Sequence, residues 1–157
     1  MNVTLRPLQE SDALTSWRWR NDAHIWHFTG NRPDTAITAE MEREWIRKVL
    51  TRTDEKRFAI CVDGAQSYVG NVQLTGITPT EAEFHIFIGE RAVHGKGVGT
   101  RATRLMLDYA RDTLGLQQVY LRVHPANVAA IRAYEKCGFE AAASQGGRLT
   151  YIRKLSP

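Results

Sequence analysis

Apolar residues alternate with polar ones along some stretches of this chain and recur every three to four positions along others. The two periods divide it into strands and helices. VTLRPL (3–8) alternates and predicts an opening strand. Ser11 or Asp12 is placed to cap a helix through ALTSWRWRN (13–21). Residues 22–37 show no period and carry Gly30 and Pro33, so mostly loop is expected there. Thr38 caps a second helix, AEMEREWIRKVLTR, acidic in its first turn and basic in its last as the helix dipole favours. Met41, Trp45, Ile46 and Val49 give that helix an apolar face, and Trp17 and Trp45 are expected in the core. RFAICVD and SYVGNVQLTGI flank Asp63-Gly64, a hairpin signal.

AEFHIFIG (82–89) is a strand with Phe84, Ile86 and Ile88 on its apolar side. A glycine-rich loop follows, then a helix to about Leu114 with Val98, Ala102, Leu105, Tyr109 and Thr113 on one stripe. QQVYLRVH (117–124) reads as a strand, and NVAAIRAYEKCGF (127–139) as a helix capped by Asn127 and stopped by Gly138. Two more strands, near 139–144 and 148–155, end the chain. This order predicts one mixed α/β domain over residues 1–157, with a βαβ crossover between 82 and 124.

Composition changes this picture little. The 157 residues are 43% hydrophobic and 24% charged, enough apolar material for a core and no signature of disorder. The net charge of +4 comes from bases spread from Arg6 to Lys154 and interleaved with acids. That suits an anionic small ligand such as a phosphorylated cofactor, and argues against nucleic acid. No apolar run approaches the ~20 residues that span a bilayer. MNVTLRPLQESD has no apolar signal core. Cys61 and Cys137 read as reduced thiols, so a cytoplasmic protein with no membrane partner is expected. His24 and His27 have no third ligand nearby, so no metal is expected.

HGKGVGT (94–100) holds three glycines, a costly cluster unless the backbone needs them. A P-loop would need its lysine after the decisive glycine, and a dinucleotide fingerprint would need G-x-G-x-x-G; both fail here. Two readings stay open: successive amides at a helix N-terminus cradling a pyrophosphate, or a tight strand-to-helix turn with no ligand.

FIGERAVHGKGVGTRATRLMLDYA, followed after a strand by NVAAIRAYEKCGF, resembles the acyl-CoA-binding core of the GNAT superfamily of N-acetyltransferases. The family's Arg/Gln-x-x-Gly-x-Gly/Ala is matched by His94-x-x-Gly97-x-Gly99, and its Asn, Tyr and Gly-Phe by Asn127, Tyr134 and Gly138-Phe139. LRPLQESD, WRN (19–21) and AEFHIFI are similar to the RimJ/RimL-like branch. The resemblance implies a mixed, mostly antiparallel sheet of about seven strands with about four helices, splayed at the acyl-CoA site. It implies acetyl-CoA as cosubstrate, held by Val93, His94, Gly95, Lys96, Gly97, Val98, Gly99, Thr100 and Asn127. A main-chain amide among Ile86, Phe87 and Ile88 would face the developing oxyanion, and Tyr134 would protonate the departing thiolate. A phenol of pKa ~10 can do so against a thiol of ~8.5. The other reading of Tyr134 is a core aromatic one turn after Ile131.

Glu83 matches a strand glutamate that serves as base in some of these enzymes, with His85 on the same face. Others carry a glutamate five residues before the Asn, where this chain has Arg122, which argues against their peptide-N-terminus mechanism. His94 departs from the usual Arg or Gln. The acceptor is expected over residues 19–33, where Trp19, His24, Trp26, His27 and Arg32 combine aromatic faces with polar heads; Trp26, His27, Arg32 and His85 are the candidate contacts. This favours a primary amine of a small molecule, an amino sugar above a polyamine. The alternatives are a protein N-terminal acetyltransferase of ribosomal-protein type and a non-catalytic acyl-CoA-binding module. A homodimer is expected only by analogy of fold.

Overall fold

The computed structural model describes residues 1–23, 25, 35–64 and 67–155. The alternating segments become seven strands: β1 (Val3–Pro7), β2 (Lys56–Val62), β3 (Tyr68–Thr75), β4 (Glu81–Ile88), β5 (Gln118–Val123), β6 (Glu140–Gln145) and β7 (Arg148–Lys154). The helical periods give α1 (Ala13–Asn21), α2 (Ala39–Val49), α3 (Val98–Asp112) and α4 (Val128–Lys136). The strands join in one mixed sheet in the order β1-β2-β3-β4-β5-β7-β6. Every neighbouring pair is antiparallel except β4 with β5, the pair that α3 connects.

That parallel pair is short. It joins Glu81 to Gln118, Ala82 to Val119 and Glu83 to Tyr120, while β4 runs on to Ile88 and β5 to Val123 without pairing with each other. Beyond Glu83 the two strands part, which is the splay that the resemblance implies.

The sheet carries a core on each face. Ile60, Val72, Leu74, Ala82 and Phe84 pack with Val98, Ala102 and Met106 of α3, and Tyr134 of α4 lies against them. On the opposite face Ala59, Cys61 and Tyr68 pack with Ala13 and Trp19 of α1 and Ile46 of α2. Strand alternation therefore turns Phe84, Ile86 and Ile88 toward α3 and α4, and Glu83, His85 and Phe87 toward the other side.

Three local expectations need correction. The buried face of α2 is Glu42, Ile46 and Val49; Met41 is 44% and Trp45 37% exposed. Trp45 lies instead between the guanidiniums of Arg20 and Arg57, 5.3 and 5.2 Å from its ring. Along α3 the buried stripe drifts to Val98, Ala102, Thr103, Met106, Leu107 and Ala110, leaving Leu105 37% exposed. Finally, Asp12 makes no side-chain cap to α1. Its carboxylate accepts two bonds from Arg6, at 2.7 and 2.9 Å, and one from the Gln9 amide.

Candidate active site

The glycine loop is built as an open cradle. Gly95 and Gly97 have φ of +74° and +79°, the left-handed region where a side chain is strained. Gly97 is the N-cap of α3 and offers no capping side chain. The first bond closed in the helix is Arg101 N–H to Gly97 O at 3.1 Å, so helix geometry leaves the amides of Val98, Gly99 and Thr100 with no intrahelical acceptor. A Cβ added at Gly95, Gly97 or Gly99 would meet nothing within 4 Å. Residues 94–97 are exposed. Open space, unused donors and a positive helix end together fit an anion such as pyrophosphate.

His94 explains how the loop is anchored. Its Nε2–H donates to Ile88 O at 2.9 Å, tying the loop to the end of β4. Val93 packs against the core from the short turn Arg91–Val93, Lys96 is exposed, and Thr100 O accepts the Cys137 thiol at 3.6 Å. Asn127 uses its Oδ1 to cap α4 through Ala130 N–H at 3.3 Å.

The gap between β4 and β5 has main-chain donors along one wall. Gly89 N–H donates to Val69 O on the β3 side at 2.7 Å. Alternation then turns the Phe87 amide toward β3, where Phe87 is registered with Asn71, and directs the Ile86 and Ile88 amides into the gap. Of the three amides considered for oxyanion contact, these two face the opening.

Candidate proton donors and acceptors flank the parting point from opposite faces. On the α3–α4 face, the Tyr134 ring meets Phe84 edge-on at 6.1 Å and Phe139 at 5.7 Å. Burial raises its phenol pKa to about 12, with a smaller push from Cys137, so the hydroxyl keeps its proton at physiological pH. On the other face, Glu83 Oε2 lies 3.6 Å from Arg122 Nε and Oε1 lies 3.9 Å from His85 Nε2. His85 Nε2 is also 3.1 Å from Thr75 Oγ1. Burial pushes the His85 imidazole below its ordinary value, and Arg57 and Arg122 push the same way against Glu83 and Glu55.

Sequence reasoning treated Arg122 only as the loss of a glutamate. The structure makes it the ion partner of Glu83 across the gap, a relation visible only once the Glu83–Tyr120 register is known.

The acceptor side is only partly described. His24, Trp26, His27 and Arg32 lie outside the described residues. Trp19, expected on the acceptor surface, is instead buried at 4% exposure. Its ring abuts Gly89, and its Nε1–H donates to Glu90 at 3.0 Å. The rest of WRN is also committed to the scaffold. Arg20 bonds buried Glu42 at 2.8 Å, and Asn21 exchanges two 2.7 Å bonds with the Ile37 backbone. Asp22 accepts from Arg91 at 2.5 Å.

No group of three or more metal-binding side chains occurs among the described residues, and no described helix is long and apolar enough to cross a membrane.

A sheet parting beside an uncapped helix end, with a phenol on one face and a carboxylate–imidazole pair on the other, is the framework of a group-transfer enzyme. Residues 2–140 match the model of the acetyltransferase (GNAT) domain, and the chain belongs to that family of N-acetyltransferases. It is 33% identical over 140 residues to the spermidine N(1)-acetyltransferase of Escherichia coli, covering 88% of this chain and 73% of the relative. It is 26% identical over 149 residues to an aminoglycoside N(6')-acetyltransferase of Klebsiella pneumoniae, covering 88% and 74%. Its fold is similar to that of the Vibrio cholerae spermidine N-acetyltransferase in complex with CoA and spermine, with TM-score 0.85 at 25% identity over 98% of this chain and 95% of the other.

Proposed function

We propose that the protein acetylates a primary amine of a small molecule with acetyl-CoA as donor, and that the acceptor is an amino sugar. The observation that carries this reading is the parting of β4 from β5 beside the open amide cradle, with Tyr134 on one face and Glu83 and His85 on the other. Acetyl-CoA supplies an acetyl group already activated as a thioester. The amides from Gly95 to Thr100 would hold its pyrophosphate, the Ile86 and Ile88 amides would meet negative charge at the carbonyl oxygen, and the Tyr134 hydroxyl would give its proton at the sulfur. Glu83 and His85 form the basic side.

The charge of the acceptor face supports the amino sugar. Glu83 is partnered by Arg122, Glu55 by Arg57 and Arg52, Asp22 by Arg91, and Glu90 receives the Trp19 indole. A polyamine, a chain of ammonium groups, needs carboxylates that are not already neutralised. Likeness to the spermidine enzyme favours that second reading. The RimJ/RimL-like segments LRPLQESD and WRN bear little on the choice, because Arg6, Asp12, Trp19, Arg20 and Asn21 are spent on holding α1 to the sheet and α2. Arg122 in place of a glutamate weighs against a protein N-terminus as acceptor.

The test is acetyl-CoA-dependent thiol release with an amino-sugar nucleotide, glucosamine, spermidine and an alanine-starting peptide. The amino-sugar acceptors should show the highest kcat/KM. Spermidine ahead of them would install the second reading, and no release with any amine would reduce the protein to a binding module.

A further inference from the structure

We infer that His85, through Nδ1, is the group that takes the proton the acceptor nitrogen sheds, while Glu83 and Thr75 hold the ring in its Nε2–H form. This rests on the acetyltransfer reading above and goes beyond it, because the glutamate is the residue that the family resemblance assigns as base.

The geometry separates the two candidates. Glu83 is engaged at both oxygens, Oε2 toward the Arg122 guanidinium at 3.6 Å and Oε1 toward the imidazole at 3.9 Å. A carboxylate between two such groups is placed to serve as their counter-ion. Its side chain is only 19% exposed, and that of His85 is 42%. His85 Nε2 faces Thr75 Oγ1 at 3.1 Å as well as Glu83, whereas Nδ1 has no partner among the described residues. Thr75 Oγ1 at 3.1 Å can accept from an Nε2–H, and the Glu83 carboxylate 3.9 Å from the same nitrogen favours a proton there, which leaves the lone pair on Nδ1.

Position agrees. His85 shares the Glu83 face of β4 and stands two residues beyond the last residue paired with β5, alongside the gap. Tyr134 packs on Phe84 from the opposite face, so proton acceptor and proton donor lie on either side of the same opening.

The chemistry balances. An N–H bond of the acceptor nitrogen breaks with its electron pair kept on nitrogen, and an Nδ1–H bond forms, giving an imidazolium. Glu83 faces the resulting positive charge, and the imidazolium returns the proton to bulk water. The base must enter unprotonated. Burial, Arg57 and Arg122 favour the neutral ring over the opposing pull of Glu83 and Glu55.

Two measurements test this. In the intact free protein, the imidazole NMR titration of His85 should show an Nε2–H tautomer and a midpoint below that of an ordinary histidine. In steady-state kinetics with acetyl-CoA and glucosamine, log kcat/KM should fall with unit slope below the amine pKa. It should fall with a slope of two below the His85 midpoint. His85→Gln should lose the second break and about 10²–10³-fold in kcat/KM at pH 7.5. Glu83→Gln should keep the break and move it to lower pH, since the carboxylate it removes favours the imidazolium. A break retained in His85→Gln and lost in Glu83→Gln would overturn the inference and make Glu83 the base. An Nδ1–H tautomer, or a midpoint above the ordinary one, would also overturn it. Absence of thiol release with every amine would overturn the acetyltransfer reading itself, an outcome distinct from a misplaced base.

Discussion

Gly97 and Gly99 lie two residues apart, yet exchange for alanine should move stability in opposite directions. Gly97 has φ of +79°, and an alanine held in the left-handed region costs about 1–2 kcal/mol. For a chain of this size 1 kcal/mol corresponds to about 2–4 °C in Tm, so Gly97→Ala should lower Tm by about 2–8 °C. Gly99 lies in the first turn of α3, where alanine is favoured over glycine by about 0.5–1 kcal/mol and its Cβ meets nothing within 4 Å. Gly99→Ala should therefore raise Tm by about 1–4 °C. Binding should follow a different rule. Strain at position 97 is relieved by rotating the peptide out of the left-handed region, which swings the 97 and 98 amides off the cradle. Acetyl-CoA affinity should then fall at least tenfold, about 1.4 kcal/mol. The family loop pattern accepts Gly or Ala at the Gly99 position, so that variant should bind within about twofold of wild type. Scanning calorimetry and isothermal titration with acetyl-CoA read the two quantities separately. A Gly97→Ala protein that is folded, destabilised and binds normally would refute the cradle. One with unchanged Tm would refute the left-handed conformation itself.

Tyr134→Phe keeps the ring against Phe84 and Phe139 and removes the proton, so turnover should fall by about 10²–10⁴ with acetyl-CoA affinity unchanged. Because burial raises the phenol to about 12, wild-type turnover should show no falling alkaline limb below about pH 11; near-normal turnover in the variant, with chemistry limiting, would return Tyr134 to a core role. Arg122→Gln removes a cation that disfavours the imidazolium, so the NMR midpoint of His85 should rise; a fall or no change would mean that Arg122 does not act on the ring. Gly89→Ala would place a Cβ 2.0 Å from the Trp19 ring, and should destabilise the protein by about 1–3 kcal/mol in denaturant unfolding; an unchanged midpoint would show that Trp19 can move aside.

Most of the fold could be read from period alone. The hairpin at Asp63-Gly64, the β4–α3–β5 crossover and the Asn127 cap occur where alternation, turn chemistry and capping all agree. The errors fall where one of these rules competes with an unseen partner. Trp45 has the right spacing for a core face, but two guanidiniums offered its ring a better surface than the interior could. Asp12 is in position to cap α1 but is claimed by Arg6, from a strand whose approach no local pattern reports. The loop could be picked out because its glycines leave a mark in sequence, whereas the role proposed for Tyr134 came through the resemblance alone. The gap was legible only through resemblance, since amides directed into a splay have no side-chain signature. The Glu83–Arg122 pair could not be seen without the β4–β5 register.

Two of the segments that resemble the RimJ/RimL-like branch, LRPLQESD and WRN, have their side chains consumed by the scaffold. Arg6 and Asp12 pin the entry to α1, Trp19 fills the space against Gly89, and Asn21 clamps the backbone at Ile37. Any enzyme that hangs α1 and α2 on this sheet in the same way needs these contacts, whatever amine it uses. A motif held by packing therefore reports architecture, and enzymes with unlike acceptors can share it. Acceptor choice has to reside in groups free to meet a ligand. Among the described residues, groups of that kind lie beside the gap on the Glu83 face, where Arg122 and His85 flank Glu83. With the His85 ring neutral, the Glu83–Arg122 ion pair leaves that group without net charge, so it offers a polyamine no excess of carboxylate. Under the amino-sugar proposal this local balance is weighed against identity to a polyamine enzyme, and the amine panel decides between them.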